Sequence, residues 1–199
     1  DFLAAVRTIY ASTMSEEALR YRERRGLLES DEQMALLVMR VSGARHGHYY
    51  YPHAAGVGFS FNPYAWSPKI DPEAGVTRVV FGLGTRAVDR SDDDYTRVVA
   101  LNAPNRRPEA NFDEVRQYAQ RRVDYLDLDA NQLVSGQFPD VVARSNDLPL
   151  EKFAGTDSGR VPRAEDGSSL VLTFDGLLEK TDFVQDMRQM LAVLEESYE

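Results

Sequence analysis

The sequence predicts an α+β fold: a mixed, largely antiparallel sheet with flanking helices. Short β-branched or alternating runs recur at residues 56–61, 76–81, 96–101, 122–128 and 169–174, each of strand rather than helix length. The longest helical patterns lie at the two ends, 2–25 and 181–197. Between Gly84 and Thr96 there is no room for the crossover helix that two parallel strands require.

Residues 2–12 carry Phe2, Leu3, Val6, Ile9 and Tyr10 at helical spacing. Ser12 or Ser15, followed by Glu16 and Glu17, supplies N-cap chemistry for a second helix that ends at Gly26. Gln33–Val41 is a nearly unbroken apolar run and reads as a buried central strand, with a short helix as the alternative. Residues 45–53, rich in Tyr and His, read as an exposed loop or hairpin tip. GVGFSF at 56–61 runs into the turn pair Asn62–Pro63. Residues 64–75 hold the single tryptophan, Trp66, in an irregular but packed segment. Asn111 caps a helix over about 112–120, and 122–128 alternates as a half-buried strand. Residues 139–168 look the least ordered, with turn signals at Asp157-Ser158-Gly159 and Glu165-Asp166-Gly167. The final helix, 181–197, lines up Phe183, Met187, Met190, Leu191 and Leu194 as a core face.

At 199 residues the chain is one domain or two small ones, able to bury roughly 70% of its unfolded surface. A net charge of −9 argues against a nucleic-acid partner, leaving at most a local basic cleft. The absence of cysteine excludes disulfides and thiolate metal sites and suits a reducing compartment. No apolar run approaches the ~20 residues that span a bilayer, so the expectation is a cytoplasmic protein without a membrane partner. Both ends fall inside or directly after helical patterns, which suggests a piece of a longer polypeptide.

The stretch with the most chemistry is Thr77–Tyr95, TRVVFGLGTRAVDRSDDDY. An apolar run feeding Gly82 and Gly84 suits a backbone that must approach a phosphate closely. Gly82-Leu83-Gly84-Thr85-Arg86-Ala87 also satisfies a dinucleotide fingerprint. That fingerprint requires a full helix before the next strand, and the run at Thr96 arrives too soon. Asp92, Asp93 and Asp94 could hold magnesium, though consecutive side chains seldom converge and a solvated turn is the plainer reading. His46, His48 and His53 are the only histidines; a zinc site competes there with an exposed aromatic hairpin. Tyr49–Tyr51 either stack on a base or pack under the Pro-containing segment. Arg106, Arg107, Arg121 and Arg122 read as surface arginines.

Four blocks in order carry a resemblance. They are Ala11-Ser12 with Tyr21-Arg22; Met34-Ala35 leading to Val38-Met39-Arg40-Val41; Ala55 to Ser60 with Asn62-Pro63; and Gly82-Leu83-Gly84. Together they are similar to the nucleotide-binding part of the phosphoenolpyruvate synthase and pyruvate phosphate dikinase family. The likeness is strongest over 1–101, with 102–199 as a continuation of the same domain. It implies an ATP-grasp fold that takes ATP and magnesium, and phosphoryl transfer to a histidine on a separate domain and then to pyruvate. It also implies nucleotide-binding roles for Val38, Met39, Arg40 and Val41 beside the adenine, and for Gly82, Gly84 and Thr85 near the phosphates. No catalytic residue or metal ligand falls within 1–199 on this reading; the magnesium ligands and a phosphate-holding lobe lie outside it. Residues 1–199 alone are therefore expected to bind ATP weakly or not at all and to be inactive.

Met39 stands where the family has glutamine, Phe61 where it has arginine, and Thr85 where it has glutamate. Methionine can cover a purine face but cannot make glutamine's hydrogen bonds. These departures keep two alternatives open: a non-catalytic ATP-grasp binding module, and an antibiotic phosphotransferase sharing the nucleotide domain.

Overall fold

A computed structural model describes residues 2–88, 94–145 and 148–198. Residues 1–41 form one compact unit and 42–199 another. The first consists of α1 (Phe2–Ser12) and α2 (Glu16–Arg25) followed by an irregular segment. Ser15 accepts the Ala18 N–H at 3.3 Å, and Gly26, at φ 68°, returns its N–H to the carbonyls of Arg22 and Glu23. Both ends of α2 thus follow the capping chemistry read from the sequence. The Arg22 guanidinium ties the connection down, donating to the Thr13 carbonyl at 3.1 Å.

The apolar run at 33–41 is neither the buried strand nor the short helix expected. It has no regular structure, and Leu37, Val38 and Met39 are 82%, 68% and 73% exposed. The physical reason is local. A strand needs a neighbour for its backbone ladder, and the described elements of this unit are all helical.

The second unit begins with the hairpin β1 (Ala44–His46) and β2 (Tyr49–Tyr51), followed by β3 (Ala55–Phe59) and β4 (Val76–Val80). One helical turn, α3 (Thr85–Val88), precedes β5 (Arg97–Ala100), and α4 (Phe112–Gln117) follows. Next come the hairpin β6 (Arg122–Asp127) and β7 (Gln132–Gln137), then α5 (Phe138–Arg144) and α6 (Leu150–Phe153). The short pair β8 (Ala154–Gly155) and β9 (Val171–Leu172) and two helices, α7 (Asp175–Lys180) and α8 (Phe183–Tyr198), complete the order.

Strands β1-β2-β6-β7 make one sheet, β3-β4-β5 a second and β8-β9 a third, and every described pairing is antiparallel. The α+β prediction and its antiparallel character hold. Val76 pairs with Ala100 across β4 and β5, and only the four-residue α3 is described between them. That connection is not a parallel crossover, so the dinucleotide reading falls.

The core forms where the inward residues of the sheets meet the short helices. Phe81 sits fully buried with its ring 5.6 Å from Tyr51, 5.4 Å from Phe138 and 5.5 Å from Phe153. Beyond the end of β4 the backbone of Phe81 finds its partners in a side chain. Its N–H donates to Gln120 Oε1 at 2.7 Å, while Gln120 Nε2 donates to the Phe81 and Arg122 carbonyls. A buried amide that satisfies three backbone groups costs little to bury.

Three further expectations change. The hairpin at 44–51 is exposed only in part: its tip is, but Tyr49, Tyr51 and His46 are buried, with the Tyr49 ring tilted against Tyr125 at 4.3 Å rather than under the Pro-containing segment. The described residues of 139–168 are more ordered than their composition suggested. Pro139 opens α5, where a missing N–H does no harm, and Phe138, Val141 and Val142 fill the core. The last helix delivers only part of its expected apolar face to the core. Phe183 and Val184 pack there and Met187 and Leu191 close over Gly58, but Met190 and Leu194 stay 45% and 46% exposed. Among the described residues no helix is long and apolar enough to cross a membrane.

Candidate functional site

The predicted site residues fall in both units: Val38, Met39, Arg40 and Val41 in the first, Gly82, Gly84 and Thr85 in the second. The first four lie on the surface of the irregular segment.

In the second unit the glycine corner is bound to the β6–β7 hairpin. Gly82 has φ 89°, and a Cβ there would come within 2.6 Å of Val123 Cγ1 and 2.7 Å of the Asp124 carbonyl oxygen. The Leu83 N–H donates to that same carbonyl at 2.9 Å. Asp124 takes the Thr85 hydroxyl on Oδ2 at 2.6 Å and Arg86 Nε on Oδ1 at 3.0 Å. Arg86 reaches Asp94 Oδ2 with Nη1 at 3.3 Å and Ser135 Oγ with Nη2 at 2.9 Å. Asp94 also accepts the backbone N–H groups of Arg121 and Arg122 at 2.6 and 2.9 Å. The three charged side chains are 6–14% exposed, so this is a desolvated clasp rather than a surface ion pair. Asp94 is therefore not part of a solvated turn, and Asp92 and Asp93 lie outside the described residues.

A different face of the second unit carries an open cavity of about 630 Å³. Its floor is the β3-β4-β5 sheet. Register places Phe59 opposite Val76, and Arg78 opposite both Val57 and Val98. Phe61, Tyr64 and Trp66, from the turn after β3, complete an aromatic wall, with Phe59 and Phe61 44% and 50% exposed. The Arg78 guanidinium lies 5.8 Å from the Phe59 ring centroid. Trp66 Nε1 is buried and has no hydrogen-bond partner. A larger groove of about 750 Å³ runs beside α8, where Glu73, Asp182, Gln185, Arg188 and Glu195 give it a mixed, polar lining. Ligand sites are apolar clefts with a few converging polar groups, a description that fits the aromatic cavity.

The family model described as pyruvate phosphate dikinase, AMP/ATP-binding domain, matches residues 1–199. The chain belongs to that family. No curated protein and no solved structure matches it. The family is one of kinase-type phosphotransferases, and its domain is the part that binds the adenine nucleotide.

Whether a nucleotide fits this AMP/ATP-binding domain can be tested at each place. At the corner, the space bared by Gly82 is occupied by Val123 and Asp124, and the Thr85 hydroxyl and Leu83 N–H are spent on Asp124. Gly84 has only Ala55 Cβ at 3.5 Å beside it, an ordinary contact. The cavity fits better: aromatic faces suit a purine, and Arg78 suits an anionic group. Sequence reading did not single out this cavity. Phe61 registered only as a departure from arginine, and Trp66 only as packing. The available signal was Arg78, a lone charge in the middle of the apolar run Val76–Phe81.

The histidines of the domain do not form one cluster. His46 and His53 face each other with ring centroids 4.8 Å apart, and both Nε2 atoms are buried without a partner. Burial lowers the pKa of His46, and burial, then His46 and Lys152, lowers that of His53. His48 instead pairs with Asp129 at 2.8 Å on the surface. Among the described residues no group of three or more His, Cys, Asp or Glu side chains could hold a metal ion. Arg107 is not a plain surface arginine either, since it donates to the Thr173 carbonyl and to Asp175 Oδ1, the latter at 2.6 Å.

Proposed function

We propose that residues 1–199 are part of an ATP-grasp nucleotide-binding domain of a phosphoenolpyruvate synthase-like or pyruvate phosphate dikinase-like phosphotransferase. ATP, with magnesium, is the phosphoryl donor; a histidine on a separate domain takes the phosphoryl group and passes it to pyruvate, in the cytoplasm. The observation that carries this reading is the family match across residues 1–199. In the second unit the aromatic lining and Arg78 support the cavity as a place that could take the nucleotide. Phosphoryl transfer depends on positioning and on cations around the phosphates, and Arg78 is the cation this cavity provides.

The test is pyruvate-dependent ATP consumption by the polypeptide that contains residues 1–199 with its flanking sequence. Consumption that requires pyruvate and yields phosphoenolpyruvate supports the reading. A second reading, a module that binds ATP without chemistry, is favoured by one observation: Thr85, where the family's glutamate stands, has its hydroxyl held by Asp124. ATP binding without turnover in the same assay would select it.

A further inference from the structure

We infer that β1 is a proton-released edge strand: as the pH falls below neutrality, proton uptake by His46 and His53 detaches β1 from β2. No nucleotide takes part, and the family match bears on none of it. β1 lies at the end of its sheet and pairs with β2 alone among the described residues. Of its three residues, Ala44 and Arg45 are exposed and only His46 is buried. One imidazole therefore anchors the strand to the core.

That anchor sits among rings. His46 lies 4.4 Å from the Tyr51 ring and 4.8 Å from His53, and His53 in turn meets Phe81 at 6.2 Å and Phe153 at 5.5 Å. Both Nε2 atoms are buried without a partner, so water does not reach them while β1 is in place. A neutral imidazole tolerates such a site. An imidazolium, stripped of water and left without a hydrogen bond at Nε2, does not.

The ionisable groups around the pair add to the cost. Each histidine faces the other, and Lys152 on α6 is a further cation acting on His53. Tyr51 stays neutral, its hydroxyl held by Ser145 at 2.6 Å and its pKa pushed by burial up to about 12. No carboxylate is among the groups that shift either histidine, and among the described residues no third His, Cys, Asp or Glu joins them in a metal-holding group. Burial lowers both pKa values, opposed at His46 by a hydrogen bond to the Tyr51 backbone. Protons from solvent are therefore taken up when β1 swings away, which hydrates His46 and uncovers the face of His53. Each proton so bound favours the open form by up to tenfold per pH unit, starting near the unfolded value of ~6.5 and levelling off at the folded values. Release bares the edge of β2, a row of backbone groups able to pair with another strand.

Hydrogen–deuterium exchange, corrected for the intrinsic rate at each pH, tests this on the polypeptide that contains residues 1–199 with its flanking sequence. The protected amides of β1 are expected to be less protected than those of β4 at about pH 7.5, as an opening smaller than global unfolding requires. Between about pH 7.5 and about pH 5.5 their protection falls roughly tenfold, the effect of two protons gained on opening. His53→Leu, apolar in an apolar setting, keeps only the one-proton share, about threefold. Protection of β1 that does not change with pH, or that equals that of β4 throughout, overturns the proposal, and the wild-type series decides this even where the variant fails to fold. A full tenfold fall retained by a folded His53→Leu overturns it as well.

Discussion

The glycine corner and the aromatic cavity stand in the same unit and are built on opposite principles. At the corner, Thr85, Arg86, Asp94, Asp124 and Ser135 are joined by side-chain hydrogen bonds, and two backbone amides close on Asp94. At the cavity an indole N–H has no acceptor and large rings face outward. A satisfied buried network holds a fold in one arrangement, whereas unsatisfied groups and exposed rings retain free energy for something still to come. Glycine-rich sequence marked the first place and not the second, which shows that a Gly-x-Gly turn reports close approach without saying what approaches.

Substitutions should divide along the same line. The largest effect is expected from Asp94→Ala, which leaves Arg86 short of a counter-charge in a site only 14% exposed and frees the amides of Arg121 and Arg122. Removing one partner of such a pair costs ~3–5 kcal/mol, readable as a loss of unfolding free energy in urea. Gly82→Ala comes next, at about 3 kcal/mol from the φ of 89° and the clash with Val123 combined. A value near zero would mean that β6 can move away from the turn, contrary to the packed corner described above.

Acid provides a third, intermediate probe. His46 and His53 have pKa values lowered by burial, so the folded state binds fewer protons than the unfolded chain, whose histidines titrate near ~6.5. Stability is therefore full above about pH 6.5 and falls as the pH drops toward the folded-state values, where the decline ends. Thermal midpoints measured across this range should slope in the wild type and flatten when both histidines are replaced by leucine. The smallest effect belongs to the cavity: Phe61→Ala should change unfolding free energy by less than ~0.5 kcal/mol. Equal stability losses at Asp94 and Phe61 would erase the contrast between the two regions.

Much of the scaffold could be read from residues alone. Ser15 and Gly26 bounded α2, the interval after Gly84 ruled out a crossover, and the β-branched runs became β4 and β5. Local chemistry decides those features, so local sequence reveals them. The run at 33–41 misled because an aperiodic apolar stretch states a wish for burial without naming a neighbour. The clasp was hidden for a different reason: Asp124 and Ser135 lie 38 and 49 residues from Arg86 and arrive only through the β6–β7 register. Arg78 and Phe59 likewise meet only once the strands have paired.

The Gln120 amide has a further consequence. By bonding to both Phe81 and Arg122, it serves as a rung between the strand that leaves one sheet and the strand that enters the other. Neither sheet can fray at that edge without the other losing a bond. Deuterium uptake at the Phe81 amide thus becomes a gauge of the two sheets opening together, and Gln120→Leu should uncouple them.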